Sequence, residues 1–323
     1  MKRIAVLTSG GDASGMNAAI RAVVRTGVAS GYEVHGVREG YAGLMAGNYV
    51  QLGLRDVGGI IGRGGTILGT RRCPELKTDA GQAAAADRLK RHGISGLIVI
   101  GGSGSQIGAL ALSKRGIAVV GIASTIDNDL AGSDVSIGST TALDVAVEAI
   151  DRLRVTAAAH KRVFLVEVMG RDTGHLALVA GVAGGAEAIV VPEIPVHPET
   201  VAEQIRAAYG RGKSHAIIVI AEGAQYNADG MARYFKEHSE RLGFEVRTTI
   251  LGHIQRGGTP GVFDRMIATQ LGVAAVRQLA CGQHGVLLGI IDGKVSATPL
   301  TAIADVRKPL DRDLLAAAEI LAT

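Results

Sequence analysis

Short apolar runs rich in β-branched residues alternate along this chain with segments of helical period. Strands that read as continuous apolar runs are those covered on both faces, and a helix between successive strands joins them in parallel. The runs fall at 4–8, 33–37, 97–100, 118–122, 162–168, 189–191, 216–220, 247–250 and 286–290. Helical spacing is found at 16–29, 79–91, 105–114, 139–159, 198–211, 231–242, 261–279 and 311–321, and Gly31 stands where the first helix needs a C-cap. The pattern predicts an α/β protein of doubly wound type with mainly parallel central sheets. At 323 residues the chain exceeds the usual ~100–150 of one domain, yet it has no low-complexity linker and no fixed-period repeat. Two interwoven domains are therefore expected, with the chain crossing between them more than once.

Several function classes are disfavoured at once. The net charge of +4 is spread along the chain with few aromatics, which argues against nucleic acid and is compatible with small polyanions. Cys73 and Cys281 lie far apart without zinc-ligand spacing, so neither a disulfide framework nor a zinc site is expected. The opening MKRIAVLTSGG has an apolar run too short for a signal-peptide core, and no later run approaches a membrane span. A cytoplasmic, soluble enzyme with no membrane partner is the expectation.

In open parallel sheets ligands sit beyond the carboxyl ends of strands. Four glycine or Asx clusters fall there: TSGGDASG (8–15), GGSGS (101–105), STIDND (124–129) and EVMGRDTG (167–174). Familiar fingerprints fail. The GxGxxG spacing meets Ile107, the GKS at 212–214 lacks the P-loop glycine because Ala207 stands there, and a nucleophile elbow at Ser103 meets Ser105. What remains is phosphate binding by backbone N–H groups at Gly10–Gly11 and Gly102–Gly104, next to positive helix N-termini. Ordinary strand-to-helix turns would read the same way. In STIDND, alternation along an extended loop would aim Thr125, Asp127 and Asp129 to one side. That set suits a base, a phosphoryl donor contact and a metal carboxylate, or else a plain Asx-turn. Arg171, His253 and Arg256 pair cations or donors with glycines and suit a phosphate. Arg21 and Arg25 share one helical face and, with Arg154, Arg211 and Lys213, suit a second anion or a solvated basic surface.

Together these stretches resemble the bacterial-type ATP-dependent 6-phosphofructokinases along essentially the whole chain. The resemblance is carried by TSGGDASGMNAAIRAVVR, RGGTILGTRRCPE, TIDNDL, EAIDRLRVTAAAH, VEVMGR, AGGAE, RGK and ILGHIQRGG. It implies a nucleotide-binding domain of residues 1–138 plus 252–305 and a sugar-phosphate domain of 139–251 plus 306–323. Gly11, Arg72, Cys73, Gly102, Ser103, Gly104 and Ser105 would line the ATP site. Fructose 6-phosphate would meet Thr125, Asp127, Met169, Gly170, Arg171, Glu222, His253 and Arg256, with Arg162 and Arg247 supplied by a neighbouring subunit of a homotetramer. Asp127 would be the base, and Thr125, Arg72 and Arg171 would stabilise the moving charge. An allosteric site for ADP or phosphoenolpyruvate would use Arg21, Arg25, Arg154, Gly185, Glu187, Arg211 and Lys213.

The chain departs from that pattern in places. Ser103 stands where the family usually has an aspartate that binds magnesium, which leaves Asp129 and Ser103 as the metal residues and implies a weakened Mg²⁺ site. Gly104 and Ser124 leave room for ATP, where pyrophosphate users carry aspartate and lysine; Ser124 and Ala123 also differ from the glycine and proline usual in the ATP enzymes. Leu54 and Gly59 replace a basic and an acidic effector residue and imply an altered effector response. A catalytically weak regulatory paralogue, or an enzyme using pyrophosphate, are the alternatives the departures raise.

Overall fold

The computed structural model describes residues 2–304 and 306–322. They divide into two compact units, Met1–Thr141 with Arg256–Lys308 and Ala142–Gln255 with Pro309–Thr323. Each unit is thus built from two separate stretches of chain.

The first unit is a seven-stranded sheet. Its strands are β1 (Arg3–Ser9), β2 (Glu33–Val37), β3 (Tyr49–Leu52), β4 (Ile94–Gly101), β5 (Val119–Ala123), and, from the later stretch, β10 (Val286–Ile291) and β11 (Lys294–Pro299). In order they run β11-β10-β5-β4-β1-β2-β3. The five central strands are parallel, and β3 and β11 close the edges antiparallel. Every residue of β5 is buried, as expected of a strand covered on both sides. One face of the sheet, through Ala5, Leu7, Leu97, Val99 and Val119, packs on Ala85 and Leu89 of the helix Asp79–Arg91 and on Ala109 and Leu112 of the helix Ser103–Lys114. The helices Met16–Ala29 and Val262–Ala280 pack against each other, and Gly272 lets them approach: a Cβ there would stand 2.7 Å from that of Ala22.

The second unit is a four-stranded parallel sheet of β6 (Val163–Val168), β7 (Ala188–Val190), β8 (Ala216–Ala221) and β9 (Val246–Ile250), in the order β7-β8-β6-β9. Its core joins Leu165, Ile218 and Ile220 to Val201, Ile205, Met231 and Phe235 of the flanking helices Pro198–Gly210 and Ala228–Glu237. Among the described residues no helix is long and apolar enough to cross a membrane.

All nine expected strands form, with ends displaced by up to three residues. Two edge strands carry too little apolar signal to be read in advance. Lys294–Pro299 alternates polar residues with small ones, yet a hairpin forms because Asp292 and Gly293 both adopt positive φ (50° and 71°), the conformation that an Asp-Gly turn favours. The apolar stretch His175–Ala183 is a helix that shows no helical period because most of it is buried. The expected helix at 231–242 starts earlier and is interrupted at His238, whose φ of −112° leaves the helical region.

Candidate functional site

In the first unit β1 leads to β2 on one side while β4 leads to β5 on the other, so the topological switch lies between β1 and β4. Ligands of open α/β sheets bind outside such a point. The two glycine turns singled out from the sequence leave these two strands. Gly10 turns the chain at φ 88°, a region that disfavours side chains. A Cβ on Gly11 would stand 2.9 Å from Cζ of Arg256, whose Nη1 donates to the carbonyl of Asp12 at 3.1 Å. Gly11 and Arg256 are therefore neighbours, although the family resemblance assigns them to different substrates.

After β4, Gly102 caps the helix Ser103–Lys114 with backbone alone: its carbonyl accepts from the amides of Ser105 (2.9 Å) and Gln106 (3.1 Å). No acidic residue stands in the first helical turn itself, and the carboxylate that meets this positive end is that of Asp129, from the turn after β5. Gln106 Nε2 reaches back to the Gly101 carbonyl at 2.9 Å, and the buried Tyr41 hydroxyl donates to the Ser105 carbonyl at 2.7 Å. Burial pushes the Tyr41 phenol up, so it remains a donor. The position a Gly104 Cβ would take is open.

The turn after β5 adjoins this one, since a Cβ on Gly102 would stand 3.2 Å from that of Thr125. Here the expected extended alternation of Thr125, Asp127 and Asp129 does not hold. Asn128 adopts φ 50° and curls the segment. Its Oδ1 accepts from the amide of Ser136 (2.9 Å), and the Ser136 hydroxyl donates to the Thr125 carbonyl (2.7 Å). Within the curl the Asp127 amide donates to Thr125 Oγ1 at 3.2 Å, and Asp127 is only 4% exposed. Asp129 remains half-buried, and the Ser103 hydroxyl donates to its Oδ2 at 3.1 Å.

Arg72 and Cys73 lie on a segment tied to the end of β1. Thr8 Oγ1 donates to the Gly69 carbonyl (3.0 Å), and Thr70 Oγ1 donates to that of Gly10 (2.8 Å). Asn17 pins the same segment, donating to the carbonyls of Arg63 and Gly64 and accepting from the Ile67 amide at 2.8 Å. Sequence reasoning passed over Asn17; the available signal was an amide side chain among the apolar residues of a helix. Arg72 is exposed, and burial raises the Cys73 thiol above its ordinary range.

In the second unit the carboxyl ends of β6, β8 and β9 carry the other predicted residues. Gly170 (φ 144°) and Arg171 (φ 51°) turn the chain so that both of their amides donate to Glu222 Oε1, at 3.2 and 2.8 Å. The Met169 amide donates to Gln255 Oε1 at 2.8 Å, a role the sequence did not suggest although Gln255 lies inside GHIQRGG. Gly223 is required, because a Cβ there would stand 2.8 Å from the Arg171 carbonyl carbon. Gly223→Ala should displace the Gly170–Arg171 turn and cost ~1–3 kcal/mol of stability, read from urea denaturation. His253 is exposed after β9, and Arg162 and Arg247 stand where β6 and β9 run side by side.

Glu167, at the end of β6, accepts from the Ala228 amide at 2.9 Å. Desolvation raises its pKa above the ordinary 4.5, with Asp229 and Glu222 adding to the rise. The folded chain therefore binds this proton more tightly than the unfolded one, and the group's contribution to stability falls as pH rises from about 4.5 through the raised value. Glu167→Gln should remove that slope. Urea denaturation across a pH series should find the variant gaining on the wild type as pH rises.

The predicted effector residues of the second unit come together. Arg154 Nη2 donates to the Gly185 carbonyl at 2.8 Å, and Lys213 Nζ lies 3.2 Å from Glu187 Oε1. Glu187 and Arg211 line a cavity of about 450 Å³ that is otherwise largely apolar and is bounded on one side by the helix Arg312–Leu321. Arg21 and Arg25 stand on the helix Met16–Ala29 of the first unit, where Leu54 is exposed and Gly59 adopts φ 69°.

No group of three His, Cys, Asp or Glu side chains suited to a metal occurs among the described residues. The Asp129 carboxylate, which accepts from the Ser103 hydroxyl, is a smaller site, and it fits magnesium, which keeps waters and substrate phosphates and needs one or two carboxylates.

The phosphofructokinase family model matches residues 3–279. The chain belongs to the phosphofructokinase family. A Thermus thermophilus protein named ATP-dependent 6-phosphofructokinase 1 is 53% identical over 324 residues, covering 100% of both chains. One from Thermotoga neapolitana, named ATP-dependent 6-phosphofructokinase, is 50% identical over 322 residues, covering 99% of this chain and 100% of that one. Among solved structures, phosphofructokinase from Saccharomyces cerevisiae superposes with a TM-score of 0.85 at 37% identity; all of this chain is covered, and it spans 47% of the yeast chain.

Proposed function

We propose that this protein is an ATP-dependent 6-phosphofructokinase, which transfers the γ-phosphoryl of ATP to the 1-hydroxyl of fructose 6-phosphate and yields fructose 1,6-bisphosphate and ADP in glycolysis. The observation that carries the reading is the buried Asp127, held in the curled turn beside the glycine turn of β4. The full-length likeness to relatives of that name supports the same reaction.

Asp127 accepts the proton as the sugar's O1 attacks the γ-phosphorus, and the bond from that phosphorus to the β–γ bridging oxygen breaks to release ADP. Thr125, Arg72 and Arg171 stabilise the charge that spreads over the transferring group. The amides at 10–11 and 102–105 and the helix N-terminus at Ser103 receive the polyphosphate, with Cys73 lining the nucleotide. Met169, Gly170, Glu222, His253 and Arg256 hold the sugar phosphate, and Arg162 and Arg247 reach a neighbouring subunit's sugar in a homotetramer. Asp129, with Ser103 beside it, would hold magnesium, which would supply charge neutralisation to the phosphates. Residues 1–138 plus 252–305 serve the nucleotide and 139–251 plus 306–323 the sugar phosphate. Arg21, Arg25, Arg154, Gly185, Glu187, Arg211 and Lys213 form an effector site whose response to ADP or phosphoenolpyruvate is altered by Leu54 and Gly59. The enzyme works in the cytoplasm.

The test is turnover of the purified protein on fructose 6-phosphate with ATP and with pyrophosphate, following fructose 1,6-bisphosphate. Product with ATP and none with pyrophosphate is expected. Product with pyrophosphate alone, or with neither donor, overturns the proposal.

A further inference from the structure

We propose that Ser103 is a positioning residue for the nucleotide's divalent cation: its hydroxyl holds the Asp129 carboxylate so that this single acidic side chain presents one fixed oxygen to the ion. The inference rests on the kinase reading above. Its basis is the 3.1 Å hydrogen bond from Ser103 Oγ to Asp129 Oδ2, between two side chains whose backbones are separately anchored. Ser103 opens a helix whose first turn is fastened by the Gly102 carbonyl. The Asp129 carbonyl accepts from the amide of Lys308 at 3.1 Å. The turns that carry them touch at Gly102 and Thr125.

A half-buried carboxylate with no side-chain partner samples several rotamers, and an ion must then order it on binding. Occupying Oδ2 with a neutral donor removes that freedom and leaves Oδ1 as the ligand atom. Ser103 brings a donor without a charge, so the pair carries one negative charge, and affinity for the ion depends on the phosphates that arrive with it. The protein alone should bind the cation weakly, and the complex with nucleotide tightly. Orientation by an outer partner of this kind is commonly worth 10- to 100-fold in metal affinity.

The test is Mn²⁺ binding, followed by electron paramagnetic resonance, to the full-length protein with and without a non-hydrolysable ATP analogue. In the analogue complex Ser103→Ala should weaken Mn²⁺ about tenfold, and Ser103→Thr, which keeps the hydroxyl, should restore it. In an Asp129→Ala background Ser103→Ala should produce no further loss. Urea midpoints of all variants are compared with the wild type, so that a general loss of fold is seen as such. Unchanged Mn²⁺ affinity in a folded Ser103→Ala protein overturns the proposal. So does a full tenfold loss that persists without the Asp129 carboxylate, because the hydroxyl then acts on the ion directly. A wild type without turnover on fructose 6-phosphate whose Mn²⁺ affinity still depends on Ser103 through Asp129 would sink the kinase reading and leave this contact standing.

Discussion

Asp127→Asn is expected to lower kcat by about 10²–10⁴, the usual worth of a positioned general base. Asparagine keeps the size of the side chain, and the backbone contacts of the turn do not depend on the carboxylate. The Asp127 amide still donates to Thr125 Oγ1, and Ser136 still ties Asn128 to Thr125. The variant should therefore fold and bind both substrates, with the loss confined to the step that moves the proton. Single-turnover rates with ATP and fructose 6-phosphate, together with the KM for each, separate the two contributions. Full activity after the substitution would remove Asp127 from the mechanism.

A second large effect is expected at a residue to which no substrate contact is assigned. Asp264 is 0% exposed, and its two oxygens accept from the Gly138 amide (2.8 Å), the Thr141 amide (2.8 Å) and the Thr141 hydroxyl (2.6 Å). These amides flank the N-terminus of the helix Ser139–His160, so the carboxylate is both acceptor and counter-charge for a helix start. Asp264→Ala removes the partner of several buried donors at once. Since charge-assisted bonds contribute ~1.5–3 kcal/mol each and orphaned buried donors carry a further penalty, a loss of roughly 3–5 kcal/mol is expected. Asp264→Asn, which retains acceptors, should lose less. Equilibrium urea denaturation of the three proteins checks the order, and equal stability of Asp264→Ala and wild type would refute it.

Asp264 also shows why part of the structure was not legible in advance. It sits in a segment of helical period, where an aspartate reads as a solvated residue, and its partners are more than a hundred positions away in sequence. Asn17 and Gln255 likewise act at a distance: their side chains shape the segments at 63–67 and 169 through hydrogen bonds to backbone 46 to 50 and 86 positions away. Nothing local distinguishes Gln255 and Asp264 from ordinary polar residues, and Asn17 carries only the mark of an amide among the apolar residues of its helix. By contrast Gly10 and Gly170 announce themselves, because a turn at positive φ after an apolar strand has few other solutions.

The order of elements, the parallel character of the sheets and the strand ends that carry the glycine turns follow from the amino-acid pattern, since apolar period and turn chemistry act within a few residues. Recognition of the phosphofructokinase motifs likewise needed no coordinates. Folding in three dimensions added the facts that depend on distant partners. Asn128 curls the TIDND segment out of the extended form because Ser136 offers it hydrogen bonds, Arg256 comes to rest on Gly11, and Ser103 meets Asp129. Each such contact is a short-range interaction between groups brought close by sheet topology, and no local pattern encodes that proximity.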